Sequence, residues 1–107
     1  MMMDAYSVFD IKAGLYGPIV LFPNTLSAIR WFGDVANEKG NAVNRHPSDY
    51  MLMQVGQFDD NTGEMVSFTP PKSYGLASTL IEAKPMELPF SMKDVKNGVV
   101  EKVEVNQ

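Results

Sequence analysis

Four groups of residues in this chain carry side chains that could do chemistry. The first is Asp59-Asp60-Asn61-Thr62-Gly63-Glu64, where oxygen ligands crowd as they do around a hard cation. An EF-hand loop places glycine sixth and a bidentate Glu twelfth, whereas Gly63 is fifth from Asp59 and the twelfth residue is Pro70. Asp, Asn and Gly are also the residues of tight turns, so a hairpin is the expected reading and no metal site is assigned. The second group is His46 with Ser48 and Asp49, the residue types of a nucleophilic relay. His46 is the chain's single histidine, and His-Pro-Ser-Asp is equally a turn and cap sequence. The third group, Gly14 and Gly17 around Leu15-Tyr16, has neither the dinucleotide fingerprint nor a phosphate-binding lysine. The expectation is a non-enzymatic protein without a cofactor.

The fourth group is Arg30, Trp31, Lys39, Arg45 and His46. An aromatic ring that stacks a base, beside cations that neutralise phosphates, makes a platform for single-stranded nucleic acid. These five are the candidate nucleic-acid-binding residues. Tyr6, Tyr50 and Phe68 could add stacking surface, although core packing is the simpler role for them. Trp31 falls at the edge of an apolar helix face, a position that a dimer or partner interface would also use.

Composition narrows the choice. With 107 residues the chain supports one core; 45% of residues are apolar and 21% charged, which is ordinary for a folded domain. The formal net charge of −4 opposes tight, sequence-independent binding of nucleic acid by the whole surface. No cysteine is present, which excludes disulfides and thiolate chemistry and suits a reducing compartment. The start, Met1-Met2-Met3-Asp4, lacks the basic flank and apolar run of a signal peptide, and no window reaches the ~20 apolar residues of a membrane span. A cytosolic protein that does not engage a membrane is expected.

The elements that must position these groups follow from periodicity. Tyr6–Ile11 reads as a strand with Tyr6, Val8 and Asp10 on one face, ended by Ala13–Pro18. Ile19–Phe22 is apolar and extended. From Thr25 to about Glu38, capped by Asn24 or Thr25, the residues Ala28, Ile29, Trp31, Phe32, Val35 and Ala36 gather on one face at helical spacing. Arg30 and Asp34 fall opposite, four apart and able to pair. Lys39-Gly40-Asn41 supplies a basic last turn and a left-handed cap. A polar loop follows over Asn44–Asp49. Tyr50–Gly56 then reads as a central strand, and Met65–Phe68 as its hairpin partner, with Gly63 in the turn and Pro70-Pro71 as the stop. Lys72–Ala83 suggests a short helix with Leu76, Leu80 and Ile81 on one side, and Val99–Val105 alternates as a terminal strand or partner-binding arm. The fold class is α+β: a small antiparallel or mixed sheet with one main amphipathic helix packed on one face. Residues 1–84 form the single domain, and 85–107 a C-terminal extension.

Several stretches in order, Tyr6-Ser7-Val8-Phe9-Asp10, Lys12-Ala13, Pro18, Asn24 with Ala28-Ile29-Arg30-Trp31-Phe32, His46-Pro47-Ser48-Asp49-Tyr50, Gly56–Glu64 and Pro70-Pro71, resemble the nonstructural proteins of the gokushoviruses, small single-stranded DNA phages of the Microviridae. The resemblance covers Tyr6 to about Leu80. It implies a nonstructural phage protein acting in the cytoplasm of the infected bacterial host, in viral DNA replication and in favour of single-stranded genome synthesis. No catalytic residue is carried over with it. Single-stranded DNA or replication proteins are the implied partners. The alternative is a homodimeric interaction module that binds a phage or host protein and never touches DNA, with the alternating tail adding to a sheet edge.

Overall fold

A computed structural model describes residues 1–82. Its frame is one antiparallel sheet built from β1 (Met2–Asp10), β2 (Leu15–Tyr16), β3 (Val20–Phe22), β4 (Tyr50–Asp59) and β5 (Met65–Leu76). The order is β2-β1-β4-β5, and β3 pairs with the same edge of β1 that β2 uses: Asp4 to Tyr6 face β3, while Phe9 and Asp10 face β2. Between β2 and β3 the edge is held by Gly17, whose N–H donates to the Val8 carbonyl at 2.9 Å and whose carbonyl accepts from the Ser7 hydroxyl at 2.9 Å.

One helix, α1 (Thr25–Asn37), covers one face of this sheet. It begins where Asn24, in extended conformation, accepts a hydrogen bond from the Ser27 N–H at 2.9 Å and so satisfies one of the free donors of the first turn. Ala28, Phe32 and Ala36, at spacings of four, are its buried stripe. They meet Tyr6 and Leu52 from the two central strands, and each large side chain so enclosed contributes about 1.5–3 kcal/mol. Tyr6 is fully buried and keeps its hydroxyl satisfied by donating to Thr25 Oγ1 at 2.9 Å. Gln54, also buried, accepts from the Tyr74 hydroxyl.

The class read from the sequence is therefore observed, with the sheet antiparallel throughout. Several boundaries differ. The first strand starts at Met2 rather than Tyr6, because Met2, Met3, Asp4 and Ala5 pair with Asp59 to Gly56 along the extended end of β4. Leu15-Tyr16 is not merely a break: it folds back on Phe9-Asp10, and the Phe9 and Tyr16 rings lie 4.7 Å apart. The Asn44–Asp49 loop is helical in part, as α2 (Ala42–Arg45) followed by a 3-10 turn over Pro47–Asp49. Of Lys39-Gly40-Asn41, Gly40 takes the positive φ expected after α1, at 100°, whereas Lys39 lies past the last turn, which holds no basic residue, and Asn41 is extended and caps α2, accepting from the Asn44 N–H at 2.8 Å.

Pro70-Pro71 does not end the last strand. The register jumps between Gly56↔Ser67 and Gln54↔Lys72, so the prolines sit in a wide bulge where no ladder hydrogen bond is asked of them, and β5 continues to Leu76. Consequently Lys72–Leu76 is strand rather than helix, and only a 3-10 turn, Ala77–Leu80, remains of the short helix expected there. Beside the bulge the β4 and β5 backbones approach so closely that a Cβ on Gly56 would collide with the Val66 carbonyl oxygen; only glycine fits. The Gly63 hairpin turn is as expected, with φ of 78°. The strand or arm read at Val99–Val105 lies outside the described residues.

Candidate functional site

The helix that closes the core also carries the candidate residues. Trp31 follows the buried stripe closely enough to be half-buried: its ring lies 5.5 Å from that of Phe22 and 6.4 Å from that of Phe32. Its indole thus braces β3 against α1. Arg30, one residue earlier, points about 100° away and is exposed on the outer face. Lys39 is exposed in the turn after α1. Arg45, in the last turn of α2, donates to the Gly40 carbonyl at 3.2 Å, which brings it beside that same turn. His46, exposed, follows as the C-cap of α2.

Lys39, Arg45 and His46 therefore cluster at the C-terminal end of α1. Arg30 does not join them: it lies about 10 Å up the helix from Asn37. It lines instead a groove of about 530 Å³ with Ile29, Gly33, Asp34, Asn37, Glu38, Leu80 and Glu82. Asp34, Glu38 and Glu82 line that groove together with Arg30. Asp34 is four residues from Arg30, yet no ion pair within 4.0 Å joins them among the described residues.

The groove is a feature that the sequence reading missed. Its walls are α1 and the residues that end the described chain, brought together by Asn37. The Asn37 amide donates to the Gly33 carbonyl at 2.8 Å and to the Leu80 carbonyl at 2.9 Å, and its oxygen accepts from the Glu82 N–H at 2.9 Å. A second depression of about 530 Å³, lined by Asn24, Leu26, Ser27, Ile29 and Arg30, continues it toward the start of the helix and shares Ile29 and Arg30 with it. Leu26, in the first turn of α1, does not join the core; it is 79% exposed. The only available signal was its offset: Leu26 lies two residues before Ala28, about 200° round the helix from the Ala28–Phe32–Ala36 stripe. A further cleft of about 350 Å³ lies between the β1–β2 hairpin and α2, lined by Val8, Asp10, Leu15, Val43 and Tyr50 among others.

The other candidate groups resolve into turns. Asp59 accepts from the Asn61 N–H at 2.9 Å while its own backbone closes the hairpin, donating to Glu64 and accepting from Gly63. The Asn61 N–H, aimed at the carboxylate, holds Asp59 below the ordinary aspartate range. His46, Ser48 and Asp49 line up along the 3-10 turn, and no hydrogen bond joins their side chains among the described residues. There, too, no group of three or more His, Cys, Asp or Glu is placed to hold a metal, and no helix is long and apolar enough to cross a membrane.

Comparison with known proteins agrees with the resemblance read from the sequence. Residues 3–80 match the model of a family described as Phage ORF5 protein. The chain is 39% identical over 67 residues to "Protein ORF5" of Chlamydia phage 1, covering 59% of this chain and 70% of that protein. No solved structure matches. The match runs from the start of β1 through the last 3-10 turn, so it takes in the whole sheet, α1 and the Leu80 wall of the groove.

Proposed function

The chain belongs to the Phage ORF5 protein family, and on that premise we propose that it is a non-enzymatic accessory protein of phage single-stranded DNA synthesis that docks onto replication proteins in the host cytoplasm. Docking is preferred to gripping the strand chiefly because the candidate cations are divided. Arg30 shares a groove with Asp34, Glu38 and Glu82, while Lys39, Arg45 and His46 stand apart at the end of the helix. Strand binding without base specificity gains its free energy from cations that neutralise successive phosphates along one path, and that path is interrupted here. Trp31, which would supply the stacking surface, leans on Phe22 instead. The net charge of −4 acts in the same direction.

Titration with single-stranded and double-stranded oligonucleotides at low and moderate salt, followed through Trp31 fluorescence and labelled-oligonucleotide anisotropy, tests the mode of action. No binding at low salt is expected. Single-strand preference that weakens with salt would overturn docking in favour of direct contact and make Lys39 and Arg45 the next variants. A phage lacking the protein that makes single-stranded genomes at the normal rate would overturn the role itself.

A further inference from the structure

The helical elements that complete the core do so from one side of the sheet. The buried stripe of α1, Val43 of α2 and Ala77 and Leu80 of the last 3-10 turn all meet the side of Tyr6, Val8 and Leu52. The register assigns the opposite face. Val8↔Leu52 and Tyr6↔Gln54 point to the core, so Phe9↔Met51 and Ser7↔Met53 point away from it. The bulge at Val55 shifts the alternation of β4 by one residue, so that Ala5↔Gly56 and Met3↔Phe58 take the same outward side. Tyr16 and Leu21 extend the face over the two rim strands as partners of Phe9 and Ala5, and Met65 and Ser73 extend it over β5 as partners of Phe58 and Met53. Among the described residues none of these positions is charged. Ala5 and Ser7 are themselves buried, so the surface offered is that of the larger side chains around them: Tyr16 is 48% exposed, Met65 42% and Leu21 37%.

We propose that this face is the contact between two copies of the chain, stacked sheet on sheet about a two-fold axis. Charge and area both argue for a second copy as the occupant. A nucleic acid would need cations and a charged protein partner would need opposite charges, and the face supplies neither. A two-fold axis sets a patch against itself, so any charge on it would meet its own sign; a neutral patch escapes that repulsion. Methionines at Met3, Met51, Met53 and Met65 give the patch unbranched side chains that adapt to their own image at the ~10 Å spacing of packed sheets. β1 and β4 pair from Met2↔Asp59 to Asp10↔Tyr50, about 30 Å of strand, and four strands at about 4.8 Å make a width of about 19 Å. In flat projection the patch is roughly 570 Å², and more once side-chain relief is counted, against roughly 600–1,000 Å² per partner in a stable complex. The contact lies on the far side of the sheet from α1 and does not depend on the replication role.

Sedimentation equilibrium of the full-length protein, from low micromolar to submillimolar concentration, tests it together with methyl NOEs in a mixture of isotope-labelled and unlabelled copies. The expected result is a concentration-dependent rise to twice the chain mass, with intermolecular NOEs at the Met51 and Met53 methyl groups. Met53→Lys, at the centre of the face, and Leu21→Lys, at its rim, should each raise the dissociation constant at least about a hundredfold, whereas Leu26→Asp on the outer face of α1 should leave it unchanged. Trp31 fluorescence checks that each variant is folded, and the partly exposed Leu21 keeps the test valid where the central lysine does not fold. A chain that stays monomeric throughout would overturn the proposal and leave the face to the rest of the chain or to a different protein. So would a dimer that both lysines leave intact, or one that Leu26→Asp breaks, which would put the contact on α1.

Discussion

Asn37→Ala should loosen the junction between α1 and the end of the domain by an amount that the geometry bounds. The Asn37 side chain donates to two carbonyls and accepts from one N–H, two of these bonds crossing more than forty residues of sequence. Each such bond contributes about 0.5–1.5 kcal/mol net, and all three are at the low end because their surroundings are half solvated. Alanine recovers roughly 0.5 kcal/mol in helix propensity. The difference is a loss of about 1–2 kcal/mol. In urea, with an m-value of about 1–3 kcal/mol/M for a domain of this size, the midpoint should fall by roughly 1 M at unchanged slope. Trp31, the chain's one tryptophan, reports the transition from its place against Phe22. Asn37→Asp separates the donors from the acceptor. Aspartate keeps the bond from the Glu82 N–H but sets a carboxylate against two carbonyl oxygens near a helix C-terminus, so it should be less stable than alanine. An alanine variant with the wild-type midpoint, or an aspartate variant more stable than alanine, would refute the assignment of Asn37 as the clasp.

Three further outcomes are expected. Phe32→Ala removes the largest buried side chain of α1 and should cost about 3–5 kcal/mol, read as a fall in midpoint by thermal or urea unfolding, whereas the neighbouring exposed Arg30→Ala should change little. Asn24→Ala removes the cap on the Ser27 N–H and should cost about 1 kcal/mol, measured the same way. The folded-state pKa of Asp59 is depressed by the Asn61 N–H, so its stabilising effect is present above the unfolded value of 3.8 and is lost as pH falls through the folded value; carboxyl NMR titration should show a low Asp59 midpoint that moves back up in Asn61→Pro, which lacks the donor.

Local signals carried much of the fold. α1 was legible because its cap, its period and its stop signal all lie within Asn24–Asn41, and the β4–β5 hairpin because Asp59–Glu64 is a turn by its own chemistry. The continuation of β5 was not legible, because the prohibition on proline holds only where a ladder bond is demanded, and sequence does not show that residues 68–71 face Val55 alone across a bulge. β2 is two residues long and gives no periodicity to read. The candidate cations were found one by one, but their separation was invisible, since Arg30 and Glu82 meet only through Asn37 and Leu80 across forty-odd residues. The groove was missed for the same reason.

The perimeter of the sheet has a bearing on colloidal behaviour. On one side the rim is divided between a two-residue and a three-residue strand with Gly17-Pro18 between them; on the other it is β5, bent by its bulge and carrying adjacent prolines. Among the described residues, neither rim offers a straight, uninterrupted run of free backbone groups suited to template cross-β stacking, so this sheet should resist edge-to-edge fibril formation.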